Sequence, residues 1–316
     1  MPTPPPITVP PKLAEHHEEH NPEHAAEWIA GLPGLAAGFL DRWNLRPDGE
    51  PAHGYVALVL PVRREDGTPA ALKLQPVDEE RAGEPLALRA WSGRGAVRLL
   101  EHDPETSTML LERLDPARSL DGVADAEAAL LALTGLLARL HTAPVPDGLR
   151  HLGDVVREML AAVPEALTAL DDADERRLLA DCAEAVREVA DEPGDRLLHW
   201  DLHYENVLAP LPGTGTAADR GPWLAIDPVP LVGDPCFDLM PAFDNRWEDL
   251  VATGDVERAV RRRFDLMTDV LSLDRGRAAR WTLARALQNS LWTVEDGGSR
   301  LEEEQTTVAR ALARYV

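Results

Sequence analysis

His199-Trp200-Asp201-Leu202-His203-Tyr204-Glu205-Asn206 is the stretch on which the reading of this chain turns. It follows the spacing H-x-D-L-x-x-x-N. Downstream, the apolar run Trp223-Leu224-Ala225-Ile226 ends in a second carboxylate, Asp227. Phosphoryl transfer asks for few groups, but it asks for them together. One carboxylate accepts the proton of the attacking hydroxyl, and an Asn and an Asp hold Mg²⁺ on the phosphates. Taken alone, the loop is equally a pair of unrelated polar spots. The strand-like run before Asp227, and a lysine upstream, favour the chemical reading.

That lysine is Lys73. The 32 basic residues include two lysines, Lys12 and Lys73; the others are arginine. Lys73 sits in Ala70-Ala71-Leu72-Lys73-Leu74, after the turn signal Glu65-Asp66-Gly67-Thr68-Pro69. With the apolar run 55–62 before the turn, this predicts a hairpin with the lysine on its second strand. V-A-I-K in kinases has the same form, a strand lysine that meets nucleotide phosphates and pairs with a helical Glu. A compact, flexible ammonium suits a place between phosphate oxygens and a carboxylate. Glu84 is the preferred partner, ahead of Glu79 and Glu80. It opens a segment with helical periodicity at Leu86, Ala90 and Trp91, and Pro85 fits a first helical turn.

A chain of 316 residues can bury a sizeable core and usually forms two domains. Its hydrophobic content of 44% argues against global disorder. No apolar run has the length of a membrane span, the N-terminus lacks a signal-peptide layout, and Cys182 and Cys236 do not make a disulfide framework. The expected setting is cytoplasmic. The net charge of −23 repels nucleic acid and anionic membrane and favours a cationic small molecule, unless it serves solubility alone.

Three regions follow. Residues 1–30 are a Pro-rich tail, flexible through residue 12, and a helix whose His16, His17, His20 and His24 read as a solvated face. Residues 31–114 are a small β-rich N-lobe that binds nucleotide. It opens with an amphipathic helix over 31–47, and strands are expected over 96–100 and 108–114. Residues 115–316 are a larger helical C-lobe with the catalytic loop and the acceptor-binding helices. The linker is read at 112–116. The fold class expected is α+β, bilobal. A full G-x-G-x-x-G is lacking, and 49–54, with Gly49 and Gly54, stands where a phosphate-covering loop would lie.

After Asp227 the chain runs Pro228-Val229-Pro230-Leu231-Val232-Gly233-Asp234-Pro235-Cys236-Phe237-Asp238, with neither Phe-Gly nor a long activation segment. This leaves no platform for a peptide and favours a small alcohol as acceptor. Asp238 is read mainly as structural, and Asp234 as either loop-orienting or substrate-facing. On these motifs, and on Trp28–Pro33, Asp66–Gln75, Ser107–Asp115, Leu198–Ala209, Trp223–Pro235 and Asp274–Arg285, the chain resembles the aminoglycoside phosphotransferases. It is most similar to the streptomycin 6-phosphotransferases of actinomycetes, with hydroxyurea-type resistance kinases nearby. The resemblance covers nearly the whole chain. It implies a protein-kinase-like fold, ATP and Mg²⁺ as cofactors, and a role in antibiotic resistance. By position it implies Asp201 as catalytic base, Asn206 and Asp227 as metal ligands, Lys73 and Glu84 as phosphate clamp, and the backbone from Glu112 to Leu114 at adenine. It gives weight to a cationic, guanidinium-bearing antibiotic as partner, met by carboxylates drawn from Asp234, Asp244 and Glu248. The alternatives are a same-fold kinase acting on hydroxyurea or a peptide antibiotic, and a nucleotide-binding pseudokinase.

Overall fold

The computed structural model describes residues 7–20, 22–212 and 220–316. The start of the N-terminal tail and residues 213–219, the middle of a Gly/Pro-rich stretch read from the sequence as a turn over 210–222, lie outside them. The chain divides into two compact units, Met1–Gly93 with Val97–Leu114, and Arg94–Ala96 with Asp115–Val316.

The first unit holds helices α1 (Pro11–His20), α2 (Pro22–Arg42) and α3 (Glu84–Trp91) and an antiparallel sheet. Its strands are β1 (Arg46–Pro47), β2 (Ala52–His53), β3 (Leu58–Arg63), β4 (Pro69–Leu74), β5 (Leu99–Asp103) and β6 (Thr108–Glu112), in the order β1-β3-β4-β6-β5, with β2 also on β3. Alternation along β3 turns Leu58, Leu60 and Val62 to one face. There they meet Leu32, Ala36, Phe39 and Leu40, the apolar stripe of α2. The β3–β4 turn forms because Gly67 adopts φ +82° and the Asp66 carboxylate accepts the Thr68 amide at 2.8 Å. The sheet then sets Lys73 between Val59 and Met109.

The N-terminal segment differs from the expected free tail. Ile7 and Val9 pack on the core that contains Leu13, Leu32 and Leu58, so 7–30 folds within this unit. One helix runs from Pro22 through Pro33 to Arg42, where two segments with a break near 30 were expected. His17 is buried, and its Nε2–H donates to the Val56 carbonyl at 2.9 Å. His16 stacks on Tyr55, with ring centroids 5.0 Å apart. These two histidines are therefore inward-facing, which the solvated-face reading missed.

The second unit is mostly helical: α4 (Ala126–Leu140), α5 (Leu152–Ala169), α6 (Ala173–Arg187), α7 (Pro241–Asp244), α8 (Trp247–Val251), α9 (Val256–Leu271), α10 (Arg275–Glu295) and α11 (Glu303–Leu312). The side chains of Asp125, Asp172, Asp255 and Asp274 cap α4, α6, α9 and α10 by accepting backbone amides. Helix α10 packs against α5, α6, α11 and the 3₁₀ turn Pro235–Leu239, and it buries Trp281, Leu283 and Leu287. Two three-stranded sheets hold the loops between them. One orders β11 (Leu224–Ala225), β10 (Val207–Pro210) and β7 (Leu114–Ser119); the other orders β8 (Arg150–His151), β12 (Leu231–Gly233) and β9 (Arg196–Leu198). Cys182 and Cys236 are free and buried, and burial pushes the Cys182 thiol up to about 12.

The excursion Arg94–Ala96 explains why β5 starts at Leu99 rather than at the expected Ala96. The Ala225 amide donates to the Gly95 carbonyl at 2.9 Å, and Arg220 donates to the Ala96 carbonyl at 3.2 Å. The tripeptide is thus hydrogen-bonded into the second unit before the strand begins.

Gly194, before β9, adopts φ +86°, and a Cβ there would lie 2.5 Å from the Asp234 backbone nitrogen. Gly67 has φ +82° with open space around it. Gly194→Ala is expected to destabilise the protein by about 3 kcal/mol or more, through both strain and clash. Gly67→Ala should cost only the backbone part, about 1–2 kcal/mol. Urea titration of both variants measures the difference, and equal costs would rule out the close approach at Gly194.

Candidate active site

In the first unit, Lys73 and Glu84 are both buried. Strand pairing fixes Lys73 at the inward end of β4. Glu84 is the first residue of α3, where a carboxylate suits the helix N-terminus. The Lys73 ammonium donates to both carboxylate oxygens, at 2.7 and 2.8 Å, and Gln75 adds a bond at 3.0 Å. Glu79, a rival by sequence, is exposed. A buried ion pair gains little net stability against its desolvation cost. It does hold an ammonium in one orientation, ready for an anion. The Glu112 amide is committed to the Arg98 carbonyl at 3.0 Å, and its side chain accepts the Arg98 amide at 2.9 Å. Leu114 is buried as β7 begins.

In the second unit, β9 feeds the catalytic stretch, which is clasped from behind by Asp238. One Asp238 oxygen accepts the Trp200 amide at 2.7 Å. The other accepts the His199 amide at 3.0 Å and the His141 Nε2–H at 2.8 Å. Burial lowers the His199 pKa and keeps the ring neutral, and its Nε2–H donates to the Ile226 carbonyl at 3.1 Å. Trp200 is forced to φ +66°, a left-handed conformation that is costly for a bulky residue. Asp238 is therefore structural, and it stabilises a strained turn that projects Asp201.

Asp201 keeps 42% of its side chain exposed. Asn206, on a short 3₁₀ turn, donates its amide to the Asp201 carbonyl at 2.9 Å and to the carboxylate at 3.3 Å. The Asn206 Oδ1 is the end of this side chain whose chemistry suits a metal ion. The Ile226 amide donates to the Asn206 carbonyl at 2.9 Å, which ties the chain just before Asp227 to the catalytic turn. Asp227, just past β11, sits at φ +52°. Asp201 and Asn206 are thus in direct contact, and Asp227 follows the residue whose amide is bonded to Asn206. An Asp carboxylate and an Asn carbonyl are hard oxygen donors. They fit Mg²⁺, which takes few protein ligands and completes its shell with phosphate and water. Among the described residues, no group of three or more His, Cys, Asp or Glu side chains forms a metal site.

The three acids proposed for the acceptor do not cluster. Asp234 is buried; it accepts the Cys236 amide at 2.9 Å and pairs with Arg277 at 2.6 Å. Glu248 is exposed on α8. Asp244 does line a cleft of about 610 Å³, together with Trp292, Asp296, Glu302, Glu304 and Gln305. Burial pushes the Asp244 carboxyl above the ordinary aspartate range, and the charge of Arg285 offsets only part of this. Asp296, Glu302, Glu304 and Trp292 were missed by sequence reasoning. Their signal was the acidic run Glu302-Glu303-Glu304 following the Gly297-Gly298 turn at the end of the α10 pattern.

A family profile described as aminoglycoside/hydroxyurea antibiotic resistance kinase matches residues 42–297. The chain belongs to this family. Across 98% of both chains it is 56% identical to a streptomycin 6-kinase of Streptomyces griseus. It is 54% identical to a hydroxyurea phosphotransferase of Kitasatospora aureofaciens, over 97% of this chain and 86% of that one. A solved aminoglycoside phosphotransferase, APH(4)-Ia in a ternary complex with AMP-PNP and hygromycin B, superposes with a TM-score of 0.55. The match covers 89% of this chain and 96% of that one at 14% identity, and it shows the shared fold. This resistance kinase therefore has the α+β, bilobal, protein-kinase-like architecture.

Lys73→Arg keeps the charge but replaces a compact ammonium with a planar fork, in a site closed by Glu84 and Gln75. The variant is expected to fold and to lose at least about 10²-fold in turnover. Circular dichroism with steady-state kinetics checks this, and wild-type turnover would remove Lys73 from the phosphate site.

Proposed function

We propose that the chain transfers the γ-phosphoryl group of ATP, with Mg²⁺, to a hydroxyl of a cationic aminoglycoside. The acceptor proposed is streptomycin, phosphorylated at its 6-hydroxyl, and the role is antibiotic resistance. The observation that carries this reading is the end-to-end 56% identity with a protein named streptomycin 6-kinase. Lys73, Asp201, Asn206 and Asp227 are all present, so the pseudokinase alternative has no missing group to rest on. The acidic cleft supports a cationic acceptor, because carboxylates hold guanidinium groups through paired, charge-assisted hydrogen bonds. The 54% identity with a hydroxyurea phosphotransferase keeps hydroxyurea as the second reading. That acceptor is small and uncharged, and it gives the cleft carboxylates nothing to neutralise.

In this mechanism Asp201 accepts the proton of the acceptor hydroxyl as that oxygen attacks phosphorus in line with the leaving phosphate oxygen. Asn206 steadies the Asp201 carboxylate through its side-chain amide. Asn206 Oδ1 and Asp227 would hold Mg²⁺, which when bound neutralises charge on the phosphates. Lys73, oriented by Glu84, meets phosphate oxygens, and the backbone from Glu112 to Leu114 meets adenine. With ATP as donor, the cytoplasm is the setting of the reaction. Among the described residues, no helix is long and apolar enough to cross a membrane.

The test is MgATP-dependent phosphorylation of a panel containing streptomycin, hygromycin B and hydroxyurea, with mass spectrometry locating the phosphate. Streptomycin is expected to be modified at the 6-hydroxyl, and Asp201→Asn to lower kcat by about 10²–10⁴-fold with ATP affinity retained. Turnover of hydroxyurea with streptomycin left untouched would replace the acceptor and leave the kinase reading standing.

The cleft generates its own expectation. Burial raises the Asp244 pKa, so its carboxylate forms only as pH climbs past the ordinary aspartate range. KM for streptomycin should therefore fall as pH rises through that pKa, while KM for ATP stays flat. Asp244→Asn should abolish the pH dependence and raise KM for the antibiotic. A pH series on both proteins measures this, and an unchanged slope in the variant would remove Asp244 from acceptor binding.

A further inference from the structure

Arg285 is a buried cation in the middle of α10. Its guanidinium carbon lies 5.5 Å from the centroid of the Trp200 ring and 4.8 Å from that of Trp292. The two indoles are 6.4 Å apart and tilted by 39°, so they form a notch that the guanidinium caps. Cation–π contacts strengthen with desolvation, as at the buried Trp200 ring, and a planar guanidinium can also stack on an indole face. Arg285 Nη1 donates to Gln288 Oε1 at 2.8 Å and to Asn289 Oδ1 at 2.9 Å. Gln288 Oε1 also accepts the Trp200 indole N–H at 3.3 Å. Asn289 in turn donates to Asp244 at 3.2 Å and to Gln305 at 3.3 Å.

One guanidinium therefore touches two ends of the site. On one side is Trp200, the residue before Asp201, held at a strained φ of +66°. On the other are Trp292 and Asn289, which line the acidic cleft with Asp244, the carboxylate Asn289 donates to. The Asp238 clasp fixes the backbone of Trp200 but leaves its large side chain to be held by something else. The ring is held by Arg285 and Gln288, with Arg150 5.6 Å from its centroid.

We propose that Arg285 is a positioning residue for phosphoryl transfer: by capping Trp200 and Trp292 together it locks the indole ring that sets the direction of Asp201, and it makes the wall of the acidic cleft and the catalytic loop one packed body. The proposal rests on Asp201 being the base and on the cleft receiving the acceptor. It makes Arg285 responsible for the rate of transfer rather than for the hold on ATP. A displacement of the base by about 1 Å is enough to cost 10²-fold.

The test compares wild type, Arg285→Ala and Arg285→Lys at saturating MgATP and streptomycin. It is repeated with guanidinium chloride, or with methylammonium chloride at the same concentration, in the tens of millimolar. Arg285→Ala is expected to lose about 10²-fold in kcat with KM for ATP within twofold. Guanidinium, which can refill the notch, should restore kcat at least tenfold, and methylammonium should not. Arg285→Lys should remain impaired, because an ammonium cannot cap two tilted indoles as a plane. Thermal unfolding of each variant reports any loss of folded protein. Wild-type kcat in Arg285→Ala overturns the proposal. So does a kcat loss that matches lost folded protein and that neither salt restores. The cleft reading fails separately, if Asp296→Asn and Glu304→Gln leave KM for streptomycin unchanged while guanidinium still rescues Arg285→Ala.

Discussion

The Asp238 carboxylate is the constraint on which the catalytic stretch depends. Its two oxygens receive two consecutive backbone amides and a buried histidine N–H, three bonds within 3.0 Å. Consecutive amides can point at one carboxylate only if the backbone turns sharply between them. Trp200 makes that turn in a left-handed conformation that a tryptophan would otherwise avoid. The strain is local, and the bonds that hold it are charge-assisted and buried, where such bonds are strongest. A neutral His199 bonded to the Ile226 carbonyl extends the same clasp to the segment that ends in Asp227. Three catalytic candidates are thereby fixed from one side, by groups that do no chemistry themselves.

The buried Lys73–Glu84 pair of the first unit solves a related problem by different means. Lys73 is the only lysine in the sheet, in a chain that uses arginine almost everywhere else. Arginines here bridge carbonyls and carboxylates as rigid forks, as Arg263 does with the carbonyls of Ala242, Asn245 and Arg246. A fork is suited to fixed acceptors. An ammonium can turn between a carboxylate and a phosphate, the role proposed for Lys73.

Much of this was legible in the sequence, and the reasons are specific. The strand and turn that carry Lys73 follow from alternation and from Gly67, both short-range signals. The contact of Asp201 with Asn206 followed from spacing, because a tight loop keeps near neighbours in sequence near in space. The pairing of Lys73 with Glu84 crosses only 11 residues. The acceptor side was less legible. Asp234, Asp244 and Glu248 are close in sequence, yet they point to an ion pair, a cleft and solvent, because short helices and turns between them rotate each one differently. The real companions of Asp244 are Asp296, Glu302 and Glu304, brought in by the long helix α10 and the turn after it. Inward burial of His16 and His17 was likewise invisible, since a helix face rich in Glu and His looks solvated until a loop from elsewhere covers it.

The three residues Arg94–Ala96 give the chain an unusual wiring. The backbone leaves the first unit at 93, returns at 97 and leaves again at 114, so no single cut separates the two halves. The carbonyls of Gly95 and Ala96 take their hydrogen bonds from Ala225 and Arg220, more than 120 residues further along. A fragment ending at Leu114 would keep the whole sheet and the Lys73–Glu84 pair, but it would carry this loop with two acceptors stripped of their donors. The first unit is therefore not a free-standing module that can be exchanged between enzymes at one junction. Chimeras would need to transplant the tripeptide together with the strand it answers to.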